Sequence, residues 1–305
     1  MSQKRLFRQN HPILAGFLLL AGIVFIFFGG ITFFVIKLTH RTSTDIFISR
    51  PGIGIIELKG VITRSEQTIS DLIKFKNNND IKAIVVRIDS PGGAVGASQE
   101  IFRELRRVDK VKPVVASMGS VAASGGYYSA IGAEKIVASP GTLTGSMGVI
   151  LKFANLEEIF NKIGYKSETI KSGKYKDMGS PGRSLTPEER VMLQALLDNV
   201  HSQFIRDIAE SRNISEEEVR KIADGRIFSG EQAHDLGLVD QLGNFTDAVL
   251  LAADLGGLHE RDPYLIYPER NEFNVLKFIG GKKGEALLNS LIKPEPVLAY
   301  QWPEK

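Results

Sequence analysis

Residues 81–120 read IKAIVVRIDSPGGAVGASQEIFRELRRVDKVKPVVASMGS. The first part, Ile81–Ile88, is rich in Val and Ile and ends in Asp89-Ser90-Pro91-Gly92-Gly93, a turn composition. The middle sets Ile101, Phe102, Leu105 and Val108 at helical spacing. The last part, KPVVASMG at 112–119, is a second strand pattern. Both strand runs are almost continuously apolar, as strands covered on two faces should be. Strand, helix and strand in that order imply a parallel, right-handed crossover. GIGIIELKGVI at 52–62 and KIVASP at 135–140 add further strands, so the chain reads as α/β.

The whole chain has 305 residues, 43% hydrophobic and 24% charged, which suits one or two folded domains. A formal charge of +3, with no basic stripe interleaved with aromatics, argues against a nucleic-acid partner. The absence of cysteine excludes disulfides, thiolate metal sites, a cysteine nucleophile and a lipidated cysteine. No metal-binding motif or nucleotide loop is present, so no cofactor is expected.

Between Arg8 and Lys37 no charged side chain occurs, and residues 12–36, PILAGFLLLAGIVFIFFGGITFFVI, are almost wholly apolar. About 20 such residues cross a bilayer as a helix. A cleaved signal peptide has a shorter apolar core and a small-residue cleavage site, neither of which is found here. The expected organisation is a short N-terminal tail at 1–11, a transmembrane anchor at 12–36 and a linker at 37–50. A folded domain at 51–260, read below as catalytic by resemblance, and a partly ordered tail at 261–305 complete it. Lys4, Arg5 and Arg8 precede the span and Lys37, Arg41 and Arg50 follow it, so charge bias alone does not orient it.

The second half is more helical. Thr186, Pro187 and Glu189 form a helix start with a capping box, followed by a stripe of Leu193, Leu196, Leu197, Val200, Phe204 and Ile208. Ser215 with Glu218 and Ser229 with Gln232 open two shorter helices, with Gly225 and Gly237 at their C-termini.

The chemistry centres on VVASMGSVAASGGYYSA, residues 114–130. Ser124 lies among residues of almost no bulk, between a strand and a helix start. A serine there can be met by a substrate backbone, and the helix dipole favours its alkoxide. The Gly125 N–H lies where an oxyanion donor is needed, and the DSPGG turn can point another N–H into a cleft. Close helix–strand packing would also explain such small residues. None of the histidines, His11, His40, His201, His234 and His259, occurs in a glycine-rich context, which disfavours a Ser–His–Asp triad. Lysine is the other base for a serine. Lys171, Lys174 and Lys176 follow an expected strand in the loop TIKSGKYKDMGSPGR, which is otherwise an ordinary solvated basic loop.

Taken together, RIDSPGG, GSVAASGGYY, TGSMGVI, SGKYKD and GLVD resemble signal peptide peptidase A, a family of membrane-anchored Ser–Lys serine peptidases. The likeness runs from about Gly52 to Gly243 and to the single-module form of the family. It implies a Clp-protease/crotonase-like fold of repeated ββα units, preceded by one transmembrane helix. By resemblance Ser124 is the nucleophile, Lys176 the general base and Ser146 the residue orienting that lysine, with Gly93 and Gly125 as oxyanion donors. It also implies a homo-oligomer that shares the dyad between adjacent subunits. Signal-peptide substrates are expected at the bacterial cytoplasmic membrane, with the catalytic domain outside. A lysine near its ordinary value of about 10.4 is protonated at neutral pH, so a base role requires desolvation, which subunit contacts could supply. The alternatives are an inactive peptide-binding membrane scaffold and a crotonase-like acyl-CoA enzyme. A serine-reactive probe that labels Ser124 only when Lys176 is present discriminates the peptidase from both.

Overall fold

The computed structural model describes residues 20–30, 50–269 and 299–301. The chain divides into two compact units, Met1–Arg50 and Pro51–Lys305. In the first, residues 20–30 are helical and their apolar side chains are exposed. The rest of the expected anchor, 12–19 and 31–36, lies outside the described residues. Among the described residues, no helix is long and apolar enough to cross a membrane.

The second unit is built on a largely parallel sheet. Strands β1 (Gly52–Lys59), β2 (Ile81–Ser90), β3 (Gly92–Ala94) and β4 (Val114–Ala123) come first. They alternate with helices α1 (Glu66–Asn77) and α2 (Val95–Asp109), and β4 runs directly toward α3 (Gly125–Ala130). β5 (Lys135–Ala138) and β6 (Leu143–Gly145) follow, then α4 (Glu157–Lys162), α5 (Pro187–Arg212) and α6 (Glu216–Ile222). β7 (Ile227–Ser229), α7 (Gly230–Asp235), β8 (Gln241–Leu242), α8 (Phe245–Leu255) and β9 (Tyr264–Ile266) complete this run, and β10 (Ala299–Gln301) lies furthest along. The sheet path is β7-β6-β4-β2-β1-β9, with β5 also pairing β4 and β8 pairing β5. β9 beside β1 brings residues past Arg261 into the main sheet.

Alternation along the strands sorts the apolar side chains to two cores. Ile56, Leu58, Ile84, Val86, Ile88, Val114, Ala116 and Met118 face a core shared with α1, α2 and α3. Ile53, Ile55, Ala83, Val85, Val115 and Val137 face the opposite core, closed by Ala248, Val249, Ala252 and Ala253 of α8. Burial on both faces is why these strands read as unbroken apolar runs.

β4 forks. Its first half pairs β2 and β5 in parallel, as Ile84↔Val114 and Val115↔Lys135. An irregularity then separates the pairs Ile88↔Met118 and Ser90↔Ala122, and the second half pairs β6, with Ala123 opposite Gly145. The extra residues swing the end of β4 away from β5 and deliver Ser124 next to the end of β6.

All three expected capping boxes form, at Thr186, Ser215 and Ser229. Three local expectations need correction. α6 ends earlier than Gly225, with Ala223 at its cap, because the turn to β7 takes over there. The apolar stripe of α5 is buried only from Val200 onward, and Leu196 is exposed because the helix outruns the core beneath it. The stretch before the lysine loop, 165–171, is not a strand; an exposed, unpaired run has no sheet edge to join.

Candidate active site

Three non-glycine residues among those described have positive φ: Ser124 at 55°, Ser146 at 51° and Asn213 at 53°. Asn213 is the left-handed cap of α5, an ordinary use of that conformation. The two serines have no such excuse. Backbone of this kind costs about 1–3 kcal/mol per residue and persists only where surroundings impose it. At Ser124 the imposing contacts are visible. Its N–H donates to the Gly145 carbonyl at 2.7 Å, and its carbonyl accepts the Tyr128 N–H at 2.8 Å. Ser146 is held through its N–H, which donates to the Arg226 carbonyl at 2.7 Å. Ser124 and Ser146 thus stand at the carboxyl ends of neighbouring strands, where open α/β sheets place their ligands.

The two glycine motifs meet. A Cβ on Gly126 would fall 2.7 Å from the Ser90 carbonyl oxygen, so the SGG elbow lies directly on the DSPGG turn. Ser90 shapes that turn, its buried Oγ accepting the Gly92 N–H at 3.1 Å. Gly93 is pinned on one side by Ile62, whose carbonyl oxygen would lie 2.0 Å from an added Cβ. Ile62 N–H donates to the Gly92 carbonyl and Ile62 accepts the Ala94 N–H, at 2.8 and 2.7 Å. Alternate residues of a strand turn their amides to opposite edges, so the Gly93 N–H and C=O face away from Ile62. On that opposite edge β10 pairs antiparallel, with Tyr300 opposite Gly93. Gly125 opens α3, and a first-turn N–H has no intrahelical acceptor.

Ser124 is 1% exposed. Lys176 is exposed on the segment 171–177. Among the described residues, no hydrogen bond joins the side chains of Ser124, Ser146 and Lys176. The structure therefore gathers Ser124, Gly125, Ser146 and the β3 turn, and does not join Lys176 to them by a hydrogen bond.

The three lysines differ in their partners. Lys171 pairs with Asp177 at 2.5 Å, and Lys174 pairs with Glu188. Bonding to Glu188 and Tyr175 holds the Lys174 ammonium above the ordinary lysine range. Among the described residues Lys176 has no carboxylate partner. A base must be able to lose its proton, so the ion-paired Lys171 and Lys174 are the poorer candidates.

An ion network that the sequence reading did not connect supports this segment. Arg183 donates from Nε and Nη2 to Asp177, at 3.0 and 2.8 Å. It also donates from Nη1 and Nη2 to Glu189, at 2.8 and 2.6 Å, and from Nη1 to the Ser184 carbonyl at 3.1 Å. Those five bonds match the five donors of a guanidinium. The Arg183 bonds, with help from the Thr186 N–H, hold the Glu189 carboxyl down at about 2. Bonds from Arg183 and then Lys171 likewise hold Asp177 well below the usual carboxylate range. The helix-start pattern flagged Glu189 only as a cap; its second partner lies six residues upstream in a loop without periodicity.

Of the histidines, His11 and His40 lie outside the described residues. His201 is in α5, His234 in α7 and His259 beyond α8, and none hydrogen-bonds Ser124. Among the described residues no three His, Asp or Glu side chains converge to hold a metal ion.

A strained serine on a strand-to-helix elbow is the arrangement in which a nucleophilic serine is presented in some hydrolases. Comparison with known proteins narrows the class. The profile of Peptidase family S49 matches residues 106–259, and that of Clp protease matches residues 53–142. A Synechocystis sp. protein provisionally named a protease is 46% identical over 219 residues, 72% of this chain and 77% of its own. The chloroplastic serine protease SPPA of Arabidopsis thaliana is 38% identical over 215 residues, 68% of this chain but 32% of that protein. Protease 4 of Salmonella typhi is 40% identical over 196 residues, 64% of this chain and 32% of its own length. The chain belongs to Peptidase family S49 and is a serine peptidase with a Clp-protease-like, mixed α/β fold.

Proposed function

We propose that the protein is a membrane-anchored Ser–Lys endopeptidase that cuts remnant signal peptides and other extended apolar segments. The membrane span is assigned to residues 12–36 and the catalytic unit to the outer side of the cytoplasmic membrane; the ββα repeats implied by the family belong to the same reading. Ser124 is the nucleophile, Lys176 the general base, Ser146 its hydrogen-bonding partner, and Gly93 and Gly125 the oxyanion donors. Neutral Lys176 takes the Ser124 hydroxyl proton as Oγ attacks the peptide carbonyl, and the oxyanion accepts from the two glycine N–H groups. The intermediate collapses, breaking the C–N bond, and the leaving amine takes the proton from the Lys176 ammonium. Water, deprotonated by the same amine, then releases the acyl group and regenerates Ser124.

The observation that carries this reading is the contrast between a buried, strained Ser124 and an exposed Lys176 that has no carboxylate partner among the described residues. On this reading Lys176 acts on Ser124 of a neighbouring copy, which the lack of any hydrogen bond between the two side chains among the described residues supports. The exposed apolar side chains Ile159, Ile163 and Ile170, on the stretch leading to this lysine, supply surface for such a contact and for its desolvation. The β3 edge supports extended substrates, because it already accepts an antiparallel strand in β10.

The test mixes two inactive variants, Ser124→Ala and Lys176→Ala, with assembly followed by sedimentation. Activity is expected to reappear in the mixture. Its persistent absence despite co-assembly would overturn the shared dyad. Labelling of Ser124 by a fluorophosphonate that survives Lys176→Met would overturn the base assignment.

A further inference from the structure

Resting on the base assignment above, the ion network beside Lys176 has a role of its own. Glu189 is 2% exposed and sits in the first turn of α5, which is anchored in the core by Val200, Phe204, Ile205 and Ile208. Its carboxylate is committed twice, to the Thr186 N–H at 2.9 Å in the capping box and to Arg183. Arg183 in turn holds Asp177, the residue covalently next to Lys176. A continuous set of bonds thus runs from the buried helix to the residue beside the base. Parallel ties add to it: Lys174 and Tyr175 both bond Glu188, and on α4 Glu157 accepts from the N–H and Oγ of Ser184.

The charges point to a second consequence. A carboxylate adjacent to a lysine base favours the protonated, inactive amine. Here Asp177 is matched by Arg183 and Lys171, while Glu188 is matched by Lys174 and Glu189 by Arg183. We propose that Arg183 is a positioning residue for the reaction: its guanidinium, shared between Asp177 and Glu189, fixes the lysine-bearing segment against α5 and neutralises the carboxylate beside Lys176.

Full-length assembled protein carrying Arg183→Gln, Arg183→Lys, Asp177→Asn or Lys176→Met tests this, with kcat, KM and the pH profile of kcat/KM as readouts. Arg183→Gln is expected to lower kcat about 10- to 100-fold, the scale of an ångström-sized misplacement, with KM little changed. The acid limb of its profile moves to higher pH, because Asp177 is left unneutralised. Arg183→Lys restores part of kcat and brings the limb back, since it returns the charge but not the fork. Asp177→Asn moves the limb in the opposite direction, to lower pH. A merely structural network would change stability and leave both limbs in place. Wild-type kcat and an unmoved limb in Arg183→Gln, or limbs moving the same way in Arg183→Gln and Asp177→Asn, overturn the proposal. If Arg183→Gln does not fold, the limb in Asp177→Asn decides, and no shift to lower pH counts against it. Lys176→Met separates the two readings: if it remains active the base assignment fails, whereas if it is dead and the Arg183 variants behave as wild type, only the present inference fails.

Discussion

The backbone N–H of Ser124 donates to the carbonyl of Gly145 at 2.7 Å, one residue before Ser146. This single bond joins the ends of β4 and β6 and sets two positive-φ serines on adjacent strand ends. Substitutions around that junction give outcomes that can be measured.

Lysine identity is the sharpest of them. Lys176→Met should lower kcat/KM by about 10³-fold or more, the scale for losing half of a nucleophile–base unit. Lys174→Met removes an exposed ion pair, worth little by itself, and should cost less than about tenfold. Peptide hydrolysis by purified variants, with correct assembly verified first, checks the ranking. Equal losses in the two would discredit it.

Gly93→Ala should fail for steric reasons. The new Cβ would meet the Ile62 carbonyl oxygen at 2.0 Å, and backbone on both sides has no route of escape. A stability loss of about 1–3 kcal/mol is expected from overpacking, with turnover reduced further because β3 shifts. Urea denaturation alongside an activity assay would read both. Full activity would mean that β3 is freer than its pairing with Ile62 indicates.

Acid should loosen the α5 start. Glu189 and Asp177 both have carboxyls depressed in the folded state, by hydrogen bonds from Arg183 first. A depressed carboxylate contributes stability above its unfolded value and loses it as pH falls through the folded one. For Glu189 that window runs from the ordinary 4.5 down to about 2. Denaturation midpoints taken across this range should fall more steeply for wild type than for Glu189→Gln. Parallel slopes would remove the carboxylate from the account.

Truncation after Leu298 should free the β3 edge now paired by residues 299–301. KM for extended apolar peptides is expected to fall, with kcat less affected, if β10 and substrate compete for the same backbone groups. An unchanged KM would show that β10 does not stand in the substrate's path.

Much of this architecture was legible in the residues. Val- and Ile-rich runs marked β1, β2, β4 and β5 because both sheet faces are buried, and cap chemistry marked the starts of α5, α6 and α7. β3, β6, β7 and β8 were not legible, being two or three residues long and fixed by tertiary pairing, not by composition. At the site, the small residues of SGG admitted either a substrate's approach or close internal packing, and the Gly126–Ser90 contact is packing of the second kind. The strain at Ser146 had no local signal, since its neighbours gave no reason to expect left-handed backbone. Arg183 was illegible for another reason: its partners sit six residues away on either side, joined by a fold that no periodicity describes.

Under the proposed assignment, a reactive hydroxyl sealed inside one polypeptide and its activating amine displayed on the outside of the same polypeptide make catalysis a collective property. On that proposal, newly made molecules travelling alone would be harmless to their neighbours, and cutting would begin only where enough copies had gathered to complete one another.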